Sequence, residues 1–158
     1  GDVVGLSQPR QHRLPLTASD HVLLADSTGL PAAVSILTGM GLPGRVRLLA
    51  RVAPDEVPEL DGVEVTRLEG PLDRAFAALD LDGVDSVWGA AESGEMRPVR
   101  RLCRKEMGLP GEATQVCGYW RRGVSNTRLD LDRLRLYREI LARGGGPEDL
   151  EEQMVEGA

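Results

Sequence analysis

Aromatic side chains are scarce in this chain of 158 residues: one Phe, two Tyr and two Trp, 3% of the sequence. Its core must therefore come from Val, Leu, Ile and Ala. Cysteine and histidine are almost missing too, with only Cys103, Cys117, His12 and His21. None of them has metal-ligand spacing, so no metal site is expected, and the two cysteines read as reduced structural thiols of a cytoplasmic protein. No apolar run nears the ~20 residues that cross a bilayer, and the opening Gly-Asp-Val-Val-Gly lacks the basic start of a signal peptide. Positive charge is in deficit, with a formal net charge of -6, which argues against nucleic acid or an anionic membrane as partner. No Gly-x-Ser-x-Gly, no Walker loop and no histidine beside a nucleophile is present, so no catalytic side chain is assigned. Any redox chemistry would need a cofactor to supply the reactive atoms.

What remains is 41% apolar and 28% charged residues, the make-up of one globular domain with a real core. The run at 21–25, His-Val-Leu-Leu-Ala, suits a buried strand, and Leu30-Pro31-Ala32-Ala33 opens a helix with proline in its first turn. Strands follow at 46–52 and 62–67. Leu72, Phe76 and Leu79 mark a helical face, a fourth strand spans 85–90, a helix spans 93–107 and a fifth strand spans 113–117. This alternation implies βαβ units with right-handed crossovers. The expected fold is α/β: a three-layer Rossmann-like open parallel sheet of about five strands, order 3-2-1-4-5, with helices on both faces. Residues 1–20 form a lead-in, 21–123 the domain and 124–158 a helical tail. In the tail Leu129, Leu134, Tyr137, Ile140 and Leu141 recur at helical spacing before Gly144-Gly145-Gly146, and an acidic helix is expected over 147–155. That helix either packs back on the domain or offers a homodimer or partner contact.

The strand order puts a topological switch point between strands 1 and 4, where open sheets bind ligands. Loops 25–31 and 89–95 should face each other there. The first reads Ala25-Asp26-Ser27-Thr28-Gly29-Leu30-Pro31, the second Gly89-Ala90-Ala91-Glu92-Ser93-Gly94. Each joins a strand to a helix N-terminus, whose free N–H groups attract anions; each is equally explained as a capped helix, with Asp, Ser or Thr as N-cap in the first. Arg97, Arg100, Arg101, Arg104 and Lys105 share one helical face, either a solvated surface or a docking face for another domain or an anionic ligand. Past the last strand come Tyr119, Trp120, Arg121 and Arg122, a cation–aromatic cluster suited to planar rings and oxyanions, unless Trp120 plugs the core and the arginines are solvated.

These segments resemble the siderophore-interacting proteins, flavin-dependent ferric-chelate reductases related to ferredoxin–NADP reductases. The first loop is similar to a Gly-Asp-Glu-Thr-Ala-Leu-Pro-Ala pattern at Asp26, Thr28, Leu30, Pro31 and Ala32. Trp88-Gly89-Ala90-Ala91-Glu92 is similar to Trp-x-Ala-Gly-Glu, and Gly-Tyr-Trp-Arg-Arg-Gly stands intact at 118–123. Ala25, Ser27, Gly29 and Ala91 depart from the commoner Gly, Glu, Ala and Gly. The family's flavin-binding barrel is expected to lie outside these 158 residues, whether this is an excised domain or a stand-alone relative. Gly1-Asp2-Val3-Val4-Gly5-Leu6 is similar to the barrel's final strand and Gln8-Pro9-Arg10-Gln11 to a following corner.

The resemblance implies that Asp26, Ser27, Thr28, Gly29, Leu30 and Pro31, with Ala90, Ala91, Glu92 and Ser93, line a nicotinamide and pyrophosphate path. Tyr119 and Trp120 would stand towards the flavin, and Arg121 or Arg122 would attract an anionic chelate. Implied cofactors are NADPH or NADH, with FAD held by a flavin-binding domain in the same or another chain, and a ferric siderophore as substrate. Arg51 at the end of strand 2 favours NADPH, whereas Asp55 and Glu56 beside it favour NADH. The alternative is a stand-alone, non-catalytic interaction module that keeps the fold.

Overall fold

The computed structural model describes residues 14–146. The expected barrel-strand remnant and corner, and the acidic helix over 147–155, lie outside the described residues. The element order is β1 (Asp20–Asp26), α1 (Leu30–Gly39), β2 (Arg45–Arg51), β3 (Val63–Arg67), α2 (Leu72–Ala77), β4 (Ser86–Glu92), α3 (Ser93–Arg101), β5 (Thr114–Trp120) and α4 (Asn126–Ala142). All strand pairs are parallel, in the order β3-β2-β1-β4-β5. The α/β fold expected from the alternation is thus the one observed.

The sheet's two faces are sealed by different apolar sets, as the period of two in a strand requires. Leu23, Ala25, Leu48, Trp88 and Ala90 pack with Leu30, Ala33 and Ile36 of α1. Val22, Leu24, Leu49, Val87 and Val116 pack with Leu72 and Phe76 of α2 and Met96 and Val99 of α3. The one Phe and Trp88 are both fully buried, one on each side, each adding about 3 kcal/mol of transfer free energy. Central strands β1 and β4 are buried along nearly their whole length, which makes their C-terminal ends rigid platforms for the turns that follow.

A carboxylate ties the opposite ends of these two strands together. Asp85, just before β4, accepts hydrogen bonds from the Ser19 N–H (2.9 Å), the Asp20 N–H (3.0 Å) and the Ser19 hydroxyl (3.2 Å). Partial desolvation pushes its pKa up, but these donors and the nearby His21 outweigh that and hold it below the usual carboxylate value.

Element ends differ from the sequence reading in instructive ways. Strand β5 runs on to Trp120 instead of stopping at 117, because its pairing with β4 resumes after a register shift at Ala91/Glu92, with Glu92 opposite Trp120. Tyr119 and Trp120 therefore belong to the strand rather than following it. Helix α2 ends at Ala77, so Leu79 lies beyond it. The helix expected over 93–107 is α-helical only to Arg101 and then widens into a π-turn over Leu102–Glu106, closed by Met107 N–H to Leu102 O at 3.0 Å. In α4, Ile140 is buried and Tyr137 half-buried, whereas Leu134 and Leu141, expected on the same face, are exposed together with Leu131. The side chain of Leu129 lies outside the described residues. Helical spacing located this helix but not its packing face.

Candidate functional site

At the C-terminal edge of the sheet the β1–α1 and β4–α3 turns meet. Ala25 pairs with Ala90 across the β1/β4 boundary. Just above them Gly29 packs on the β4 backbone so closely that a Cβ would stand 1.9 Å from Ala90 O. No larger residue fits there without moving a central strand. The facing of the two loops, inferred from topology alone, is a direct contact.

Asp26 organises the first turn. Its Oδ1 accepts from Thr28 N–H (2.9 Å), the Thr28 hydroxyl (2.6 Å) and Gly29 N–H (3.2 Å). This is an Asx-type turn leading into the helix. The helix N-cap is Gly29, not Asp, Ser or Thr: the acidic side chain is spent one step earlier, on the turn itself. Its other oxygen accepts from Trp120 Nε1–H at 2.7 Å, joining the first and last strands across β4. Arg51 NH2 lies 3.8 Å from the same oxygen, and the guanidinium also donates to Glu95, whose second oxygen accepts Leu72 N–H at 2.8 Å. Trp120 is thus a polar tie at the sheet's upper edge; the indole filling the core is Trp88.

Glu92 does for α3 what Asp26 does for the first turn. As N-cap it accepts Gly94 N–H (2.6 Å) and Glu95 N–H (3.3 Å), and its other oxygen takes Arg122 N–H at 3.1 Å. The capping reading of Glu92 is the observed geometry, and it also fixes the Arg121–Arg122 pair over the start of α3. Ser93 donates to Trp120 O at 2.9 Å, with Gly118 packed tightly against it.

Asp26, Gly29, Leu30, Ala90, Ala91 and Glu92 are buried beneath the two turns, Ala90 packed towards α1 and Ala91 towards α2 and α3. Ser27, Thr28, Pro31, Arg121 and Arg122 are exposed on the rim of the crevice. Arg51, Ser93 and Trp120 are half-buried between them, and Tyr119 stands at 36% exposure. Helix geometry leaves the Leu30 and Ala32 N–H groups without an intrahelical acceptor at the α1 N-terminus. Turns and rim together suit a flat ring and hydroxyl-bearing groups, with backbone donors for an anion.

One participant was not singled out by the sequence. Glu95 completes the Arg51 pair; an acidic residue in the first turn was visible, but its partner lies 44 positions away. Glu56, read from the sequence as favouring NADH, bends back to accept from the Ser27 hydroxyl (2.9 Å) and Ala53 N–H (3.2 Å). The basic face divides: Arg97, Arg101, Arg104 and Lys105 are exposed, but Arg100 turns in and donates to Val116 O at 2.9 Å, holding α3 on β5. A groove of about 290 Å³ between α2 and α3, lined by Asp73, Arg74, Pro98 and Arg101, lies away from the strand ends. Cys103 and Cys117 are not joined in a disulfide, and burial pushes the Cys103 thiol up to about 12. Among the described residues there is no cluster suited to a metal and no helix long and apolar enough to cross a membrane.

The family model described as "Siderophore-interacting protein" matches residues 18–123. The chain is 32% identical to the ferric acinetobactin reductase of Acinetobacter baumannii, over 91% of its own length and 55% of the relative's. Among solved structures it is similar to a siderophore-interacting protein from A. baumannii (TM-score 0.73, 28% identity, 86% of this chain and 60% of that one). It is also similar to a siderophore utilization protein from T. fusca (TM-score 0.59, 40% identity, 69% and 47% covered). The chain therefore spans little more than half the length of the reductase it matches.

Proposed function

This chain belongs to the siderophore-interacting protein family, and from that premise we propose that it is the nicotinamide-nucleotide-binding half of a flavin-dependent ferric-siderophore reductase. The observation that carries the reading is the meeting of two strand–helix turns at the switch point, with Gly29 seated on Ala90. The residues present fit a dinucleotide in part, through small side chains beside the turns and free backbone donors. Gly29 and Ala90 carry minimal side chains beneath the first turn, and the α1 N-terminus keeps the Leu30 and Ala32 donors. Asp26 and Glu92 already occupy the neighbouring amides, so the crevice favours a ligand with few phosphates.

A bound reduced nicotinamide would supply a hydride, two electrons with one proton, to a flavin domain, enough for two one-electron reductions of Fe(III) chelate. This chain's own part is to bind and orient. Asp26 fixes the indole of Trp120 beside the crevice, and Tyr119 and Trp120 give the planar wall towards the flavin. Arg121 and Arg122, exposed and anchored through Glu92, attract an anionic chelate. No side chain of the crevice is assigned a proton-transfer or nucleophilic role. The isolated chain is expected to bind NADH or NADPH yet to show no ferric reductase activity until a flavin domain is supplied. Calorimetric titration tests this, and absence of binding by both nucleotides at millimolar concentration would remove the proposal.

One feature favours a second reading, an interaction module: Leu131, Leu134 and Leu141 of α4 are each about half exposed, at 50%, 46% and 50%. Sizing of the full chain beside one ending at Ser125 separates the two. An oligomer lost on truncation supports the module, and a monomer in both forms counts against it.

A further inference from the structure

The sequence left Arg51 and Glu56 pulling in opposite directions on nucleotide choice, and the geometry separates them. Arg51 ends β2, where a cation in such folds meets the 2′-phosphate of NADPH. Here its guanidinium is turned inwards. It donates to Glu95, lies 3.8 Å from Asp26 and keeps only 22% of its side chain exposed. Glu95 is its hydrogen-bonded counter-ion, and Asp26 adds a weaker attraction. Freeing it to meet a phosphate would strip Glu95 of its partner while Glu95 stays bonded to Leu72 N–H.

Glu56 is placed in the opposite sense. It is exposed, and Ser27 Oγ and Ala53 N–H both donate to its Oε2, holding the carboxylate at the lip between the β1–α1 turn and the end of β2. Its Oε1 has no hydrogen-bond partner among the described residues. A positioned carboxylate with one open oxygen accepts from a ribose diol, and it repels a 2′-phosphate, whose charge is about −1.5 to −2. Asp55 is exposed beside Glu56, so the exposed charges of the lip are acidic.

We infer that Glu56 is a specificity-determining residue that reads the adenosine ribose hydroxyls and makes this chain select NADH over NADPH. The inference rests on the nucleotide-binding reading above and adds the choice of nucleotide and the residue that makes it. At contact distance one phosphate facing one carboxylate is enough for about tenfold discrimination even at the dielectric of water.

The test is a binding titration of the full chain with NADH, NADPH, ADP-ribose and 2′-phospho-ADP-ribose, repeated on Glu56→Gln and Glu56→Lys, with thermal melts confirming that each variant folds. The expected result is at least tenfold tighter binding of NADH and of ADP-ribose than of their 2′-phosphorylated counterparts. Glu56→Gln should narrow the ratio several-fold, and Glu56→Lys should reverse it. Equal or tighter binding of the phosphorylated ligands by the unmodified chain, or an unchanged ratio in folded Glu56→Lys, overturns the role of Glu56 and leaves nucleotide binding standing. Failure of all four ligands to bind overturns both.

Discussion

Asn in place of Asp26 is the substitution that most sharply tests how the crevice is held together. The amide is nearly isosteric, but it can accept on one side only. The three donors from Thr28 and Gly29 converge on Oδ1, so the amide oxygen must stay there. Its NH2 group then faces Trp120 Nε1–H, which sits 2.7 Å from the present Oδ2, and two donors cannot share that distance. Three losses follow. The charge-assisted bond from the indole goes, for about 1.5–3 kcal/mol. The Arg51 contact, at 3.8 Å and partly solvated, adds no more than about 1 kcal/mol. The turn bonds weaken once the acceptor is neutral. Because Asp26 is only 5% exposed, water cannot take the indole's place cheaply. Together these give about 3 kcal/mol, a fall in Tm of roughly 6–12 °C for a domain of this size. Thermal melting followed by circular dichroism reads the stability, and tryptophan fluorescence should shift as Trp120 loses its acceptor while Trp88 stays buried. An Asp26→Asn chain as stable as the parent, with an unmoved emission spectrum, would refute the reasoning.

Three further outcomes follow from other parts of the structure. Gly29→Ala should cost about 2 kcal/mol or more, since its Cβ meets Ala90 O at 1.9 Å, whereas Gly39→Ala, at a helix end with nothing within 4 Å, should gain about 0.5–1 kcal/mol; equal effects in urea denaturation would contradict the close approach of the two turns. Asp85 is held below its ordinary pKa, so its stabilisation is present above about pH 4 and is lost as pH falls through its lowered folded value. The stability gap between the parent and Asp85→Ala should therefore be widest near neutrality and close in acid, and a gap independent of pH would rule this out. Cys103, buried with its thiol near 12, should resist iodoacetamide at pH 8 until the chain unfolds, as mass spectrometry of the labelled peptide would show.

The parts legible in the sequence were those with local causes. Apolar runs bounded by Gly and Pro placed the strands, and the alternation with helices gave the order 3-2-1-4-5, because crossover handedness leaves few options. From that order alone the two turns had to meet. The extent of β5 was not legible, since its last residues are recruited by pairing with β4 past a register shift that nothing around Tyr119 announces. Nor was the Asp26–Trp120 tie, whose partners stand 94 positions apart and meet only because the first and fifth strands flank β4. The face of α4 was misjudged for a related reason. Spacing reports a stripe of Leu and Ile, but only the rest of the fold decides which of them finds a neighbour, and Ile140 alone among those described is buried. Arg51 shows the same limit: its position at the end of β2 was legible, but its pairing with Glu95, 44 positions away, was not.

Mapping by nuclear magnetic resonance tests the central claim most directly. Amide shifts of the isotope-labelled full chain, followed during titration with NADH, should move at Ser27 to Leu30, at Ala32, at Ala90 to Glu95, at the Trp120 indole N–H and at the lip near Glu56, with saturation below millimolar ligand. No shifts at millimolar NADH, or shifts confined to the α2–α3 groove or to α4, would contradict a nicotinamide-nucleotide site at the β1/β4 crevice.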